Sequence, residues 1–218
     1  MVNLNILRQA AISSLEKPGI AKPLPKLGIS GQSTLFLFRH TQTKDNFRRI
    51  FSGRRQTSLT TIGEKQATTL AQKLKTKKFD LFISPPLIRC QQTLQPLQKL
   101  FPKTKYLQKK ELIERDYGIL TGKSKLQIMK KYPEKAILWR RSWDVPPPQG
   151  ESLKQVWERI KPFCHWLESE IKTKKINIAY CGTNNTIRLI RMYFEKLSLE
   201  KALVLETPYG DYASYSFK

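Results

Sequence analysis

His40 directly follows Arg39, and Arg89 and Glu114 lie further along a chain of 218 residues with one other histidine, His165. An imidazole nitrogen without its proton can attack phosphorus, giving a phosphohistidine that divides a group transfer into two steps. The transferred group carries charge on its non-bridging oxygens, so cations and N–H donors must be fixed around it. Arg39 and Arg89 offer fork-shaped donors for that task, and Glu114 is the candidate acid or base at the oxygen that leaves or attacks. Taken singly, each has an ordinary explanation: an arginine in a surface ion pair, a carboxylate in water. The weight comes from the order in which Thr43, Asn46, Ser52-Gly53, Leu59-Thr60, Ser84 and Arg89 follow the Arg39-His40 pair.

The elements around these residues predict an α/β chain. Leu35, Phe36, Leu37 and Phe38 form a continuous apolar run, as in a strand covered on both faces. Residues 79–83 repeat that signature and stop at Ser84-Pro85-Pro86; residues 176–181 are a third strand, and residues 213–217 read as an edge strand. Helices are predicted after Thr60 or Thr61 (Ala67, Leu70, Ala71, Leu74), over Leu87, Cys90, Leu94 and Leu97, from Ser152 with Gln155 completing a cap, and over residues 185–194. Pro162 should kink the Ser152 helix. Alternation of this kind builds a parallel sheet, and ligands gather at the carboxyl ends of its strands, where Arg39-His40 falls.

A second block runs through Glu114-Arg115-Asp116-Tyr117-Gly118, Gly122, Lys125, Trp139-Arg140-Arg141-Ser142 and Pro146-Pro147-Pro148-Gln149-Gly150-Glu151-Ser152. With the Arg39-His40 block, Thr186-Ile187-Arg188 and residues 205–210, the chain from Leu35 onward resembles the histidine phosphatase superfamily, in particular the cofactor-dependent phosphoglycerate mutases. The resemblance implies a three-layer α/β/α sandwich with a mostly parallel central sheet. It also implies interconversion of 3-phosphoglycerate and 2-phosphoglycerate in glycolysis through phospho-His40, with 2,3-bisphosphoglycerate as primer. It assigns Asn46, Ser52 and Gly53 to the phosphate pocket, Arg115, Tyr117, Lys125, Arg140 and Arg141 to the carboxylate and second phosphate, and Asn185 to substrate binding. Alone, Tyr117 could be core, and Lys125, Arg140 and Arg141 ordinary helix-surface charges.

Several positions depart from the family. Family enzymes carry a second histidine in a His-Gly-Asn-Ser-Leu-Arg-like segment; counting back from Arg188 puts Thr183 there, and a two-residue insertion would put Cys181-Gly182 there instead. Neither register restores an imidazole. His165, inside the Ser152 helix, is read as structural. Thr41 stands for the usual glycine, which predicts restricted backbone approach to phosphate. Gln42 replaces Glu, and Arg54 replaces Trp. A phosphomonoester phosphatase and a catalytically impaired phospholigand binder therefore remain alternatives to the mutase.

Forty Lys plus Arg against seventeen Asp plus Glu give a formal charge of +23. That excess favours small phosphorylated substrates or polyanions; scattered lysines with packed tryptophans argue against a nucleic-acid surface. No metal is expected, since arginines neutralise the charge. Three widely spaced cysteines suggest neither disulfides nor a metal pair. No membrane span or signal peptide is visible, which predicts a cytoplasmic protein; a homodimer is allowed for. Residues 34–218 form the expected catalytic domain. Residues 1–33 are read as an arm, with a short helix near residues 6–15 and a Pro/Gly/Lys linker over residues 17–28 without regular structure; a simple arm is preferred to an organellar targeting peptide.

Overall fold

The computed structural model describes residues 3–17, 19, 21–29 and 32–217. In chain order the elements are α1 (Leu4–Glu16), β1 (Lys26–Leu27), β2 (Ser33–Arg39), α2 (Lys44–Phe47), α3 (Thr61–Leu74), β3 (Leu81–Ser84), α4 (Ile88–Leu100), β4 (Lys105–Gln108), α5 (Lys125–Lys131), α6 (Pro133–Arg141), α7 (Leu153–Lys174), β5 (Ile178–Gly182), α8 (Asn184–Phe194), α9 (Leu199–Val204) and β6 (Ala213–Phe217). The six strands form one sheet in the order β1-β6-β2-β5-β3-β4. All pairings are parallel except β2 with β6.

Strand alternation separates two cores. Phe36 and Phe38 of β2 face one way and pack with Leu70, Leu74, Leu94 and Leu97 of α3 and α4. Leu35 and Leu37 face the other way, onto Val156, Ile160 and Leu167 of α7 and Ile187 and Ile190 of α8. The result is a three-layer α/β/α sandwich. A small third cluster, Phe51, Leu120, Ile128 and Ala136, supports the segments above the strand ends. Helix starts follow local chemistry: Thr60 accepts from the Gly63 amide at 3.0 Å, and Ser152 and Gln155 form a reciprocal capping box. α7 runs through Pro162 without a break in the helix. Cys90, Cys164 and Cys181 are buried free thiols.

The structure corrects the sequence reading at three places. β6 is not an edge strand, because Lys26–Leu27 pairs with it in parallel as β1, inside a segment expected to lack regular structure. β4, with its largely exposed residues, gave no apolar run to find. α1 is longer than residues 6–15 and is not a free appendage: Leu7, Ala11 and Leu15 are buried, the first two in the main core.

Candidate active site

β2, β5 and β3 run parallel and end at Arg39, Gly182 and Ser84, so one rim of the sheet collects the residues that follow. The His40 amide donates to the Gly182 carbonyl at 2.9 Å, continuing the ladder by one step. A cavity of about 90 Å³ opens at this rim, and His40, Arg39, Arg89 and Glu114 all line it. Arg39 stands on the end of β2, Arg89 in the first turn of α4, and Glu114 on the segment after β4.

His40 is almost fully buried, and its Nδ1–H donates to the Thr41 carbonyl at 2.8 Å. A carbonyl can only accept, so in the neutral ring the lone pair lies on Nε2. Burial first, then the Arg89 and Arg39 guanidiniums, hold the imidazole pKa well below its ordinary value, against the Thr41 bond. The imidazole is therefore neutral without a dedicated base.

Arg89 is aimed by backbone carbonyls: its Nη2 donates to Gly53 at 2.8 Å and Nη1 to Arg55 at 2.9 Å. Arg39 donates to the Thr207 carbonyl at 3.2 Å and lies over the Tyr209 ring at 4.7 Å. The Nε atoms of both arginines are buried without a partner. Such orphaned cationic donors are costly unless an anion joins them. Glu114 accepts from the Arg115 amide at 2.7 Å and the Asn185 amide nitrogen at 3.1 Å, both on Oε1, which leaves Oε2 for proton transfer. Asn185 also donates to the Tyr117 hydroxyl and accepts from Arg188 at 2.8 Å.

Asn46, Ser52, Gly53, Tyr117, Lys125, Arg140, Arg141 and Asn185 also line the cavity. Two expected residues do not. Arg115 is fully buried and spends its Nε on the Glu151 carbonyl at 2.6 Å, so it braces the following loop and does not line the cavity. Thr183 follows Gly182, the partner of Arg39 in the β2–β5 register, and so stands beside His40; this favours the ungapped reading of the missing histidine. Its hydroxyl, however, turns to Thr186 at 3.0 Å at the start of α8. His165 sits exposed on α7, bonded to Tyr193, and does not enter the cavity. The Thr41 backbone is not left-handed, and its hydroxyl donates to the Gly63 carbonyl at 2.8 Å. Arg54 is ion-paired with Glu151 and Asp116.

The cavity also holds residues absent from the sequence assignment. Arg188 and Glu206 lie inside the C-terminal motif blocks, which was the available signal; Arg49 and the arm residues Ser14, Leu15 and Gly19 carried none. Burial favours protonation of Glu206, but Arg141, Arg188 and Arg39 outweigh it and hold the carboxyl at about 2. Burial, with Arg140 and Arg39, lowers Lys125 to about 7. Seven cationic side chains and two carboxylates thus line the cavity among the described residues.

The family model for the histidine phosphatase superfamily (branch 1) matches residues 35–217. A 2,3-bisphosphoglycerate-dependent phosphoglycerate mutase of Nitrobacter winogradskyi is 37% identical over 183 residues, covering 81% of this chain and 87% of the relative. One from Bradyrhizobium diazoefficiens is 39% identical over 186 residues, with the same coverage. Among solved structures, a mycobacterial glucosyl-3-phosphoglycerate phosphatase superposes with a TM-score of 0.74 at 22% identity, covering 84% of this chain and 89% of that one. The alpha-ribazole phosphatase from Shigella flexneri gives 0.73 at 23%, covering 83% and 89%. At these identities the two structures speak for the fold.

Proposed function

The chain belongs to the histidine phosphatase superfamily, branch 1, and from that membership we propose that it transfers phosphoryl groups through His40 as a phosphoglycerate mutase. The observation that carries the reading is a neutral, buried His40 in one cavity with two guanidiniums whose Nε–H groups lack partners. Arg39 and Arg89 hold the phosphoryl group and neutralise its oxygens. Nε2 of His40 attacks phosphorus while Glu114 gives a proton to the departing oxygen, and the return step reverses both roles.

Lys125, Arg140, Arg141 and Arg49 suit the second phosphate or the carboxylate of a three-carbon acid, and this cation set fits 2,3-bisphosphoglycerate as well as the phosphoglycerates. That primer supplies the first phosphoryl group. Thr183 brings no charge to the place of the family's second imidazole, so turnover is expected to be slow for the family, by about a hundredfold. The same intermediate passed to water makes the protein a phosphatase.

Labelled 2,3-bisphosphoglycerate is expected to label the native chain and not a His40→Asn variant. Label together with 2-phosphoglycerate formed from 3-phosphoglycerate supports the mutase; label with only inorganic phosphate released supports the phosphatase. Ligand binding without label sinks the phosphohistidine and leaves a binding protein.

A further inference from the structure

The cavity is not lined by the family core alone. Ser14 and Leu15 at the end of α1, and Gly19 in the turn beyond it, line it beside the catalytic residues, yet the family match begins at residue 35. α1 also holds the cations assigned above to the non-transferred end of the substrate. Arg141 Nη2 donates to the Ala10 carbonyl at 2.9 Å, Arg140 Nη1 to Ala11 at 2.8 Å and Nη2 to the Ser14 hydroxyl at 2.8 Å, and Arg49 Nε to Leu15 at 2.9 Å. These bonds fall on the C-terminal half of the helix, where the backbone dipole is negative and α1 has no basic residue of its own in the last turn.

The arm is fastened at both ends of this contact. Leu7 and Ala11 are embedded in the main core. Gly19, at φ 75°, lies so close to Tyr209 that a Cβ would fall 2.0 Å from the ring, and its carbonyl accepts from the Tyr209 amide at 3.1 Å. Tyr209 in turn lies under Arg39. The arm is thus built into the site through Arg39, Arg49, Arg140 and Arg141, and its residues form part of the cavity lining.

A phosphohistidine discriminates between acceptors by what can reach it: water wins in an open site, and a held alcohol wins where water is excluded and the alcohol is oriented. We propose that α1 and the turn at Gly19 form the acceptor-selecting wall of this site. They fix Arg140, Arg141 and Arg49 against the anionic end of a small alcohol and keep water from phosphorylated His40. In the selected step the Nε2–P bond breaks with its electron pair returning to the imidazole, the acceptor hydroxyl oxygen bonds phosphorus, and the hydroxyl proton passes to Oε2 of Glu114. This inference rests on the phosphohistidine reading above.

The test uses the full chain and two single variants, Leu15→Ala, which opens the wall, and Gly19→Ala, which pushes the turn off Tyr209. Each is labelled at His40 and then given 3-phosphoglycerate, and the ratio of 2-phosphoglycerate formed to inorganic phosphate released is measured. Both variants are expected to take label and to lower that ratio on the order of tenfold, about 1.4 kcal/mol of differential barrier. An unchanged ratio in labelled variants overturns the proposal, as does a parallel rise of both products, which would make the arm an obstruction. If Gly19→Ala fails to fold, Leu15→Ala decides alone. A native chain that takes no label overturns the phosphohistidine itself and this inference with it, an outcome read before any ratio is formed.

Discussion

Arg39 favours the neutral form of His40 and the ionised form of Glu206 at once, because one positive charge disfavours a cation and stabilises an anion. With Arg141 and Arg188 it keeps Glu206 charged despite burial, so a counter-ion is present inside the cation cluster before any ligand arrives. Among the described residues, no second imidazole lines the cavity. Thr183, which follows the strand-end Gly182, spends its hydroxyl on Thr186 and its amide on the same oxygen at 3.2 Å. Thr183→His is therefore expected to raise the turnover of 3-phosphoglycerate by up to about a hundredfold. The lost cap should lower unfolding stability by about 1 kcal/mol. Steady-state kinetics and thermal unfolding check both; unchanged turnover in a folded, ligand-binding variant would place position 183 off the reaction path.

At the scale of elements, the loop behind His40 is pressed against α3 more tightly than its sequence suggests. A Cβ on Gly63 would meet the Gln42 carbonyl at 2.1 Å, and the Gly63 carbonyl accepts from Thr41. Gly63→Ala must push α3 away from residues 41 and 42, at a cost of about 1–3 kcal/mol for overpacking. It is expected to lower both the melting temperature and the rate of His40 labelling; a fall in stability with unchanged labelling would show that the loop moves without the imidazole. This contact is also where sequence reasoning reached its limit. β2, β3 and β5 were legible because both faces are buried and their apolar runs are continuous, and α3, α4 and α7 because their buried stripes keep helical spacing. That His40, Arg39, Arg89 and Glu114 line one cavity followed from motif order. Contacts formed by backbone carbonyls leave no such trace: those of Ala10, Ala11 and Leu15 that hold Arg141, Arg140 and Arg49 could come from any residue type. The same holds for β1, whose two residues earn a place only by pairing with β6. Arg115 failed the other way, since a motif position cannot say whether a guanidinium faces the ligand or a loop.

For the molecule as a whole, the +23 formal charge is dispersed, but seven of its cations gather in the cavity at the strand ends. Lys125 at about 7, and Arg140 and Arg188 at about 10, reflect a cavity that resists its own charge, through burial first and neighbouring guanidiniums second. An unfolded lysine titrates at about 10.4, so between about 7 and about 10 the unfolded chain binds more protons at this residue than the folded one. Stability from Lys125 therefore rises with pH across that window, the reverse of a lysine that gains a partner on folding. A phosphate anion supplies the missing countercharge, raises the Lys125 pKa and should flatten that rise. Inorganic phosphate is thus expected to lift the melting temperature most near pH 7, by the equivalent of about 2.7 kcal/mol at a hundredfold excess over its dissociation constant. Chloride at equal ionic strength screens the dispersed charge but cannot bridge Arg39 and Arg89, so it should do less. In Lys125→Met the fall of the phosphate effect above pH 7 should weaken while part of the stabilisation remains. Equal melting temperatures in phosphate and chloride for the native chain would mean that the charge is a surface property and that the cavity does not gather anions.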